Sequence, residues 1–229
     1  MCIRDSCNSS ALVVWGSNLG YSTGYRNLNN IQRSMYGLPV DYLSVVIGLL
    51  LSDGSSTLGP RSANARLEFE QSFSKFEYFW SVFNMLAHYC RQYPTRENRF
   101  RKGILNSSIR FQTRSLPCFT NIHALFYANK IKFVPLDIYI LLTPMALAHW
   151  IMGDGTKYGK GVVLCTDSFS LKDVLRLMFV LQNRYNLSCK IYSNTKDSYR
   201  IHIMSESMPL LRTIVLPFMH SSMLYKLHL

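Results

Sequence analysis

Two apolar stretches in this chain end in the same way. Val46-Ile47-Gly48-Leu49-Leu50-Leu51-Ser52 runs into Asp53-Gly54, and Leu147-Ala148-His149-Trp150-Ile151-Met152-Gly153 runs into Asp154-Gly155. The residues downstream of each are also echoed. Glu70-Gln71-Ser72-Phe73-Ser74 returns as Thr166-Asp167-Ser168-Phe169-Ser170, and Ser115-Leu116-Pro117 as Ser207-Met208-Pro209, each opening a helical pattern. Three echoes in one order mark an internal duplication. They divide the 229 residues into a Ser-, Asn- and Gly-rich arm at 1–40, a first half at 41–128, a connector at 129–143 and a second half at 144–229.

Within each half the periodicity gives helix, two strands, helix, two strands, helix. At 63–71, alternation puts Ala65, Leu67 and Phe69 on one strand face and Arg66, Glu68 and Glu70 on the other. Ile109, Phe111 and Thr113 oppose Arg110, Gln112 and Arg114 in the same manner, and Tyr199, Ile201 and Ile203 oppose Arg200, His202 and Met204. Such strands bury one face of an antiparallel sheet and leave the other open to water or a ligand. After Ser72, Phe76, Phe79, Phe83 and Leu86 form a helical stripe that suits the apolar sheet face. The two acid-ended helices are apolar nearly all round and need burial on more than one side. Gly48 and Ala148 lack bulk and would let them pack closely as the seam between halves. The fold class is α+β, with two pseudo-symmetric halves and antiparallel sheets.

Charge narrows the partner. There are 25 Lys and Arg against 13 Asp and Glu, a net charge of +12, which suits a polyanion. The basic residues sit among apolar and aromatic ones, as at Arg96, Arg99, Phe100, Arg101 and Lys102, so the charge is presented by a fold. At 48% hydrophobic residues the chain has material for a core. The six cysteines are scattered without zinc spacing and read as reduced thiols of an intracellular protein. The longest apolar run free of Asp, Glu, Lys and Arg, 138–153, is short for a bilayer span and contains Pro144 and His149. Neither a membrane helix nor a secretory signal is expected; Arg4, Arg26 and Arg33 alone give little case for organellar import.

Asp53 and Asp154 are placed where a carboxylate is disfavoured. Each ends a helix, at the negative end of its dipole, before a glycine suited to the left-handed C′ position. Two carboxylates brought together at a seam also repel, and bound cations between them would relieve both effects. Oxygen ligands suit magnesium, and paired metals support phosphodiester hydrolysis.

On these motifs the sequence resembles the LAGLIDADG homing endonucleases, specifically the single-chain, two-motif class often encoded in organellar introns. The resemblance covers about 41–229, including the final Ser222-Met223-Leu224-Tyr225-Lys226-Leu227, although the motifs are degenerate. It implies a pseudo-twofold αββαββα repeat whose two sheets form a saddle over the major groove of a long, asymmetric double-stranded DNA target, and a monomer that cleaves it. It implies Mg2+, with Mn2+ or Ca2+ able to take the same places, held by Asp53 and Asp154 and by the carbonyls of Ser52 and Gly153. A polar residue at the end of the second strand, arranging active-site water, maps to Gln71 and to the less usual Asp167. Asp167 has a rival role as the cap of the helix just after it. Arg114 and Lys190 are candidates for the basic residue that completes each pocket.

Base-edge contacts are expected from Arg66, Glu68, Glu70, Arg110, Gln112, Arg200 and His202, and phosphate contacts from Lys102, Lys157, Lys160 and Lys226. His149 reads as a packed seam residue. Relatives of this class also include maturases that assist intron RNA splicing, so RNA is an alternative partner. A mitochondrial or other organellar location is implied by the same resemblance.

Overall fold

The computed structural model describes residues 27–229 apart from 61, 102, 103, 196 and 197. It begins in the polar arm, whose remainder, like the expected phosphate contact Lys102, lies outside the described residues. A short helix, α1 (Asn30–Ser34), is capped by reciprocal bonds between Asn29 and Gln32. Gly37 then ties the chain to the first half through its carbonyl, which accepts from the Tyr89 hydroxyl at 2.7 Å.

The first half runs α2 (Val40–Leu51), β1 (Gly54–Leu58), β2 (Ala65–Ser72), α3 (Phe76–Leu86), β3 (Thr95–Arg101), β4 (Ile104–Gln112) and α4 (Pro117–Phe126). A hairpin of β5 (Tyr127–Ala128) and β6 (Ile131–Lys132) and a single helical turn, α5 (Ile138–Leu141), lead into the second half. That half repeats the order: α6 (Pro144–Asp154), β7 (Gly155–Tyr158), β8 (Gly161–Leu164), α7 (Leu171–Tyr185), β9 (Cys189–Thr195), β10 (Ser198–Ile203) and α8 (Met208–Val215), closed by a 3-10 segment at Ser221–Leu227. The sheets have matching antiparallel orders, β1-β2-β4-β3 and β7-β8-β10-β9.

Local chemistry sets the element ends. Thr143 caps α6 by accepting from the Ala146 amide, and Pro144 fits the first turn, where no amide is needed. Ser170 caps α7 by accepting from the Asp173 amide, which leaves Asp167 without the capping role. Asn186 ends α7 in the left-handed conformation. In the two-residue turn between β5 and β6, Asn129 and Lys130 both have positive φ, as a tight hairpin of this twist requires.

The alternating strands fall as the pattern predicts. Ala65, Leu67, Phe69, Ile109, Phe111, Ile201 and Ile203 are buried, while their polar neighbours face away from the core. The α3 stripe holds for Phe79, Phe83 and Leu86. Phe76 departs from it: it is exposed and stacks on Trp80, and Tyr78 and Val82 take the buried places instead.

The two apolar helices form the seam. In α2, Val45, Val46, Ile47, Leu49, Leu50 and Leu51 are all buried, and α6 is buried from Ala146 to Gly153. Gly48 sets their separation, since a Cβ there would lie 2.5 Å from both the Ala146 carbonyl oxygen and the His149 Cβ. The second close approach is Gly153 on Ser52, where a Cβ would come within 2.4 Å of the Ser52 Cβ. Ala148 is buried, but the fit at the crossing is made by Gly48 and Gly153. The glycines after the acids also differ from expectation. Gly54 and Gly155 have no positive φ, and Gly155 is extended at φ −68° and ψ 137°. They are small because the strand turns straight back along the end of its own helix. A Cβ on Gly54 would sit 2.8 Å from the Leu49 carbonyl oxygen, and one on Gly155 would sit 2.5 Å from that of Ile151.

His149 is buried at this seam, with Nδ1 3.1 Å from the Tyr78 hydroxyl, and burial lowers its pKa to about 4. A histidine kept neutral in the fold but free to protonate when unfolded takes stability away as pH falls through the interval between those two pKa values. The native protein should therefore lose roughly 3 kcal/mol between pH 7 and pH 4 from this group, and urea midpoints of His149→Gln should decline less steeply over that range. Gly48→Ala should cost about 2 kcal/mol at pH 7 by forcing the helices apart, read from the same urea titration.

Candidate metal and nucleic-acid site

The helix crossing brings the two acids together. Asp53 comes just after the end of α2 and Asp154 is the last residue of α6. With Gly153 against Ser52, a Cβ on Gly153 would lie 3.3 Å from Asp53 Oδ2, so the first carboxylate rests on the end of the opposite helix. Burial pushes the Asp154 pKa up to about 7, and the neighbouring Asp53 charge adds to the rise despite Lys226, Lys132 and Lys75 nearby. The pocket thus disfavours a second negative charge unless more positive charge enters. Gln71, buried near the end of β2, donates its side-chain amide to Asp53 Oδ2.

Two lysines complete the pocket. Lys132, at the end of the β5–β6 hairpin, donates to the Gly54 carbonyl at 2.9 Å. Lys226 is only 4% exposed and donates to the carbonyls of Met152 at 2.6 Å, Gly153 at 2.7 Å and Ile151 at 3.3 Å. Burial lowers each pKa to about 8 against the pull of the two aspartates. Each lysine thus supports the backbone beside one acid: Lys132 at the residue after Asp53, and Lys226 at the residue before Asp154. This corrects the expectation for Lys226, which is a buried cap of the α6 carbonyl end. Neither lysine belongs to the expected pair, of which Arg114 lines the same concavity as Asp53. Arg114 is half-buried with its backbone amide on the Tyr89 carbonyl and its charge near Tyr36, Cys90, Arg91 and Arg33, while Lys190 is exposed on β9 opposite His202. Lys132 was hidden because the region around it reads as a connector. Its one sequence signal is the pair Asn129-Lys130, a hairpin turn without glycine.

Asp167 and Gln71 have separated roles. Gln71 reaches an acid, whereas Asp167 takes a bidentate bond from Arg200, with Nη2 2.5 Å from Oδ2 and Nε 2.9 Å from Oδ1, and accepts from the Ser198 hydroxyl. Pairing with Arg200 holds its carboxyl below the usual range.

The first sheet presents its polar face beside Asp53. A concavity of about 610 Å3 is lined by Asp53 together with Arg66, Glu68, Glu70, Arg110 and Gln112. On that face Arg66 pairs with Glu68 at 2.7 Å, Arg110 with Glu97 at 2.8 Å, and Arg99 with Glu97 at 2.5 Å. Arg200 and His202 occupy the corresponding face of the second sheet. Lys157 and Lys160 are exposed around the β7–β8 turn. Among the described residues no helix is long and apolar enough to cross a membrane.

Comparison with known proteins agrees with this architecture. Residues 43–211 match the model of the LAGLIDADG DNA endonuclease family. The chain is 33% identical over 213 residues to the cytochrome b mRNA maturase bI2 of Saccharomyces cerevisiae, an alignment that covers 88% of this chain and 50% of that protein. It is 34% identical over 195 residues to the maturase of the same name from Debaryomyces hansenii, covering 83% of this chain and 74% of the relative. A solved structure of the homing endonuclease I-WcaI, bound to its DNA recognition sequence, superimposes with a TM-score of 0.79 at 27% identity, covering 84% of this chain and 88% of that one. On the match across most of its length and on the shared two-half fold, this chain belongs to the LAGLIDADG DNA endonuclease family.

Proposed function

We propose that the chain is a site-specific endonuclease that hydrolyses phosphodiester bonds of double-stranded DNA. The observation that carries this reading is the meeting of Asp53 and Asp154 at one helix crossing, where two oxygen-ligand carboxylates with lysines tied to backbone carbonyls stand beside the polar face of the first sheet. Asp53 and Asp154, with the adjacent carbonyls of Ser52 and Gly153, fit divalent ions, magnesium first and manganese or calcium in the same places. Bound there, such ions supply Lewis-acid stabilisation of the phosphodiester and a water of lowered pKa.

The chain's own groups do the rest. Gln71 fixes the orientation of Asp53, and Lys132 and Lys226 place positive charge beside the position of a scissile phosphate. Side chains of the first sheet, Arg66, Glu68, Glu70, Arg110 and Gln112, face base edges in the major groove, with Arg200 and His202 doing so from the second. Lys190, Lys157 and Lys160 are placed for phosphates. Because one chain supplies both acids from unlike halves, it acts as a monomer on an asymmetric site.

The names of the two fungal maturases favour a second reading, in which the same fold assists splicing of intron RNA. Under either reading the relatives' link to cytochrome b mRNA supports a mitochondrial or other organellar location.

Selection from a pool of long random duplexes distinguishes the readings. Retained duplexes should be cut on both strands in magnesium and left intact in EDTA. Asp53→Asn and Asp154→Asn should each keep binding and lose cleavage by roughly a thousandfold, in line with removal of a charge-stabilising group. Sequence-preferring binding with no cleavage in magnesium or manganese would sink the nuclease reading and leave the splicing one. Lys132→Met should slow single-turnover cleavage by about a hundredfold with little change in binding, measured on the selected duplex.

A further inference from the structure

The two sheets present very different chemistry to a ligand. On the first, Arg66, Arg99 and Arg110 share their face with Glu68, Glu70 and Glu97, so each arginine meets carboxylates on its own sheet. On the second, strand register puts Thr156, Tyr158, Gly161, Val163, Lys190, Tyr192, Arg200 and His202 on the outward side. Tyr158 packs on Tyr192 at 5.8 Å and on His202 at 5.0 Å, which makes an aromatic floor, and Tyr192 lies directly opposite Arg200 in the ladder. The described strands put no carboxylate on this face. The one that Arg200 meets, Asp167, comes from the loop after β8.

We propose that Asp167 is a positioning residue that locks Arg200 in the conformation that reads a single guanine in the half-site under the second sheet. This rests on the DNA-cutting reading and refines it. A guanidinium has five N–H donors. Asp167 takes the Nε edge, with bonds from Nε and Nη2, and the Ser198 hydroxyl donates to the same Oδ1 that accepts from Nε. The Nη1 edge remains, offering two parallel donors that match O6 and N7 of guanine in the major groove. An unsupported arginine loses side-chain freedom when it binds; one already held by a carboxylate loses less, so its discrimination is sharper. The aromatic floor leaves few other groups to take the place of the guanine contact. Asp167 therefore acts on specificity through Arg200, a role unlike that of Gln71 in the first half.

The test uses the whole chain and a set of duplexes that carry every single-base change across the second half-site of its selected target. For the native protein one G·C pair should stand out, with roughly tenfold or greater loss on substitution and a similar loss when that guanine is replaced by 7-deazaguanine, which lacks the N7 acceptor. Asp167→Asn should flatten the preference at that pair alone and leave preferences elsewhere intact. Arg200→Ala should lose the same position, and Asp167→Glu should restore part of the preference. An equal slowing of cleavage on every duplex in Asp167→Asn, with the preference profile unchanged, would overturn the proposal in favour of a role at the cleavage site. An unchanged profile and unchanged rates would reduce the pair to a surface contact and overturn it as well. Absence of any sequence-preferring duplex binding by the native chain would instead remove the DNA-cutting reading itself, and this proposal with it.

Discussion

The approach of α2 to α6 is the constraint on which the rest of this molecule depends. Gly48 meets the backbone of α6 and Gly153 meets the Ser52 side chain, with no room for a Cβ at either place. At that spacing the ends of the two helices coincide, and so do the residues that end them. A seam one methyl group wider would part the carboxylates, draw Gly153 away from Ser52 and change the angle between the two sheets. Packing elsewhere tolerates exchanges of similar volume. Here the volume available is that of a hydrogen atom.

The acids sit at that seam against ordinary electrostatic preference. They stand at the negative ends of two dipoles, close to each other and partly out of water, and the fold offsets this with buried cations of its own, Lys132 and Lys226. The lysines bond to backbone carbonyls and leave the carboxylates to Gln71 and to solvent. This keeps oxygen ligands available while placing positive charge beside them. A direct lysine–aspartate pair would neutralise the pocket and leave less reason for a cation to enter.

Much of this was legible in the chain. Duplication of the acid-ended helices, alternation in the strands and the excess of basic residues give the two halves, the inward and outward sheet faces and the convergence of Asp53 and Asp154. Gln71 could be placed because the alternation of β2 puts it near the end of that strand. What escaped were features that depend on long-range meeting. Lys226 looks like any surface lysine near a helical run, yet the fold tucks it under α6. Asp167 aligns with Gln71 in sequence, but the shorter β8 ends at Leu164 and leaves Asp167 in a loop where Arg200 can reach it. Gly54 and Gly155 suggested a left-handed turn, and only the path of the next strand shows that space, and not dihedral angle, selects them.

The β5–β6 hairpin gives the region between the halves a different character from a tether. Strand side chains alternate, so inserting or deleting one residue between Asn129 and Lys132 would turn the lysine to the opposite face. Fusing two half-proteins through a spacer of arbitrary length would therefore preserve both sheets and both aspartates and still lack one of the pocket's cations. The length of this short stretch is as much a part of the pocket as the acid-ended helices themselves.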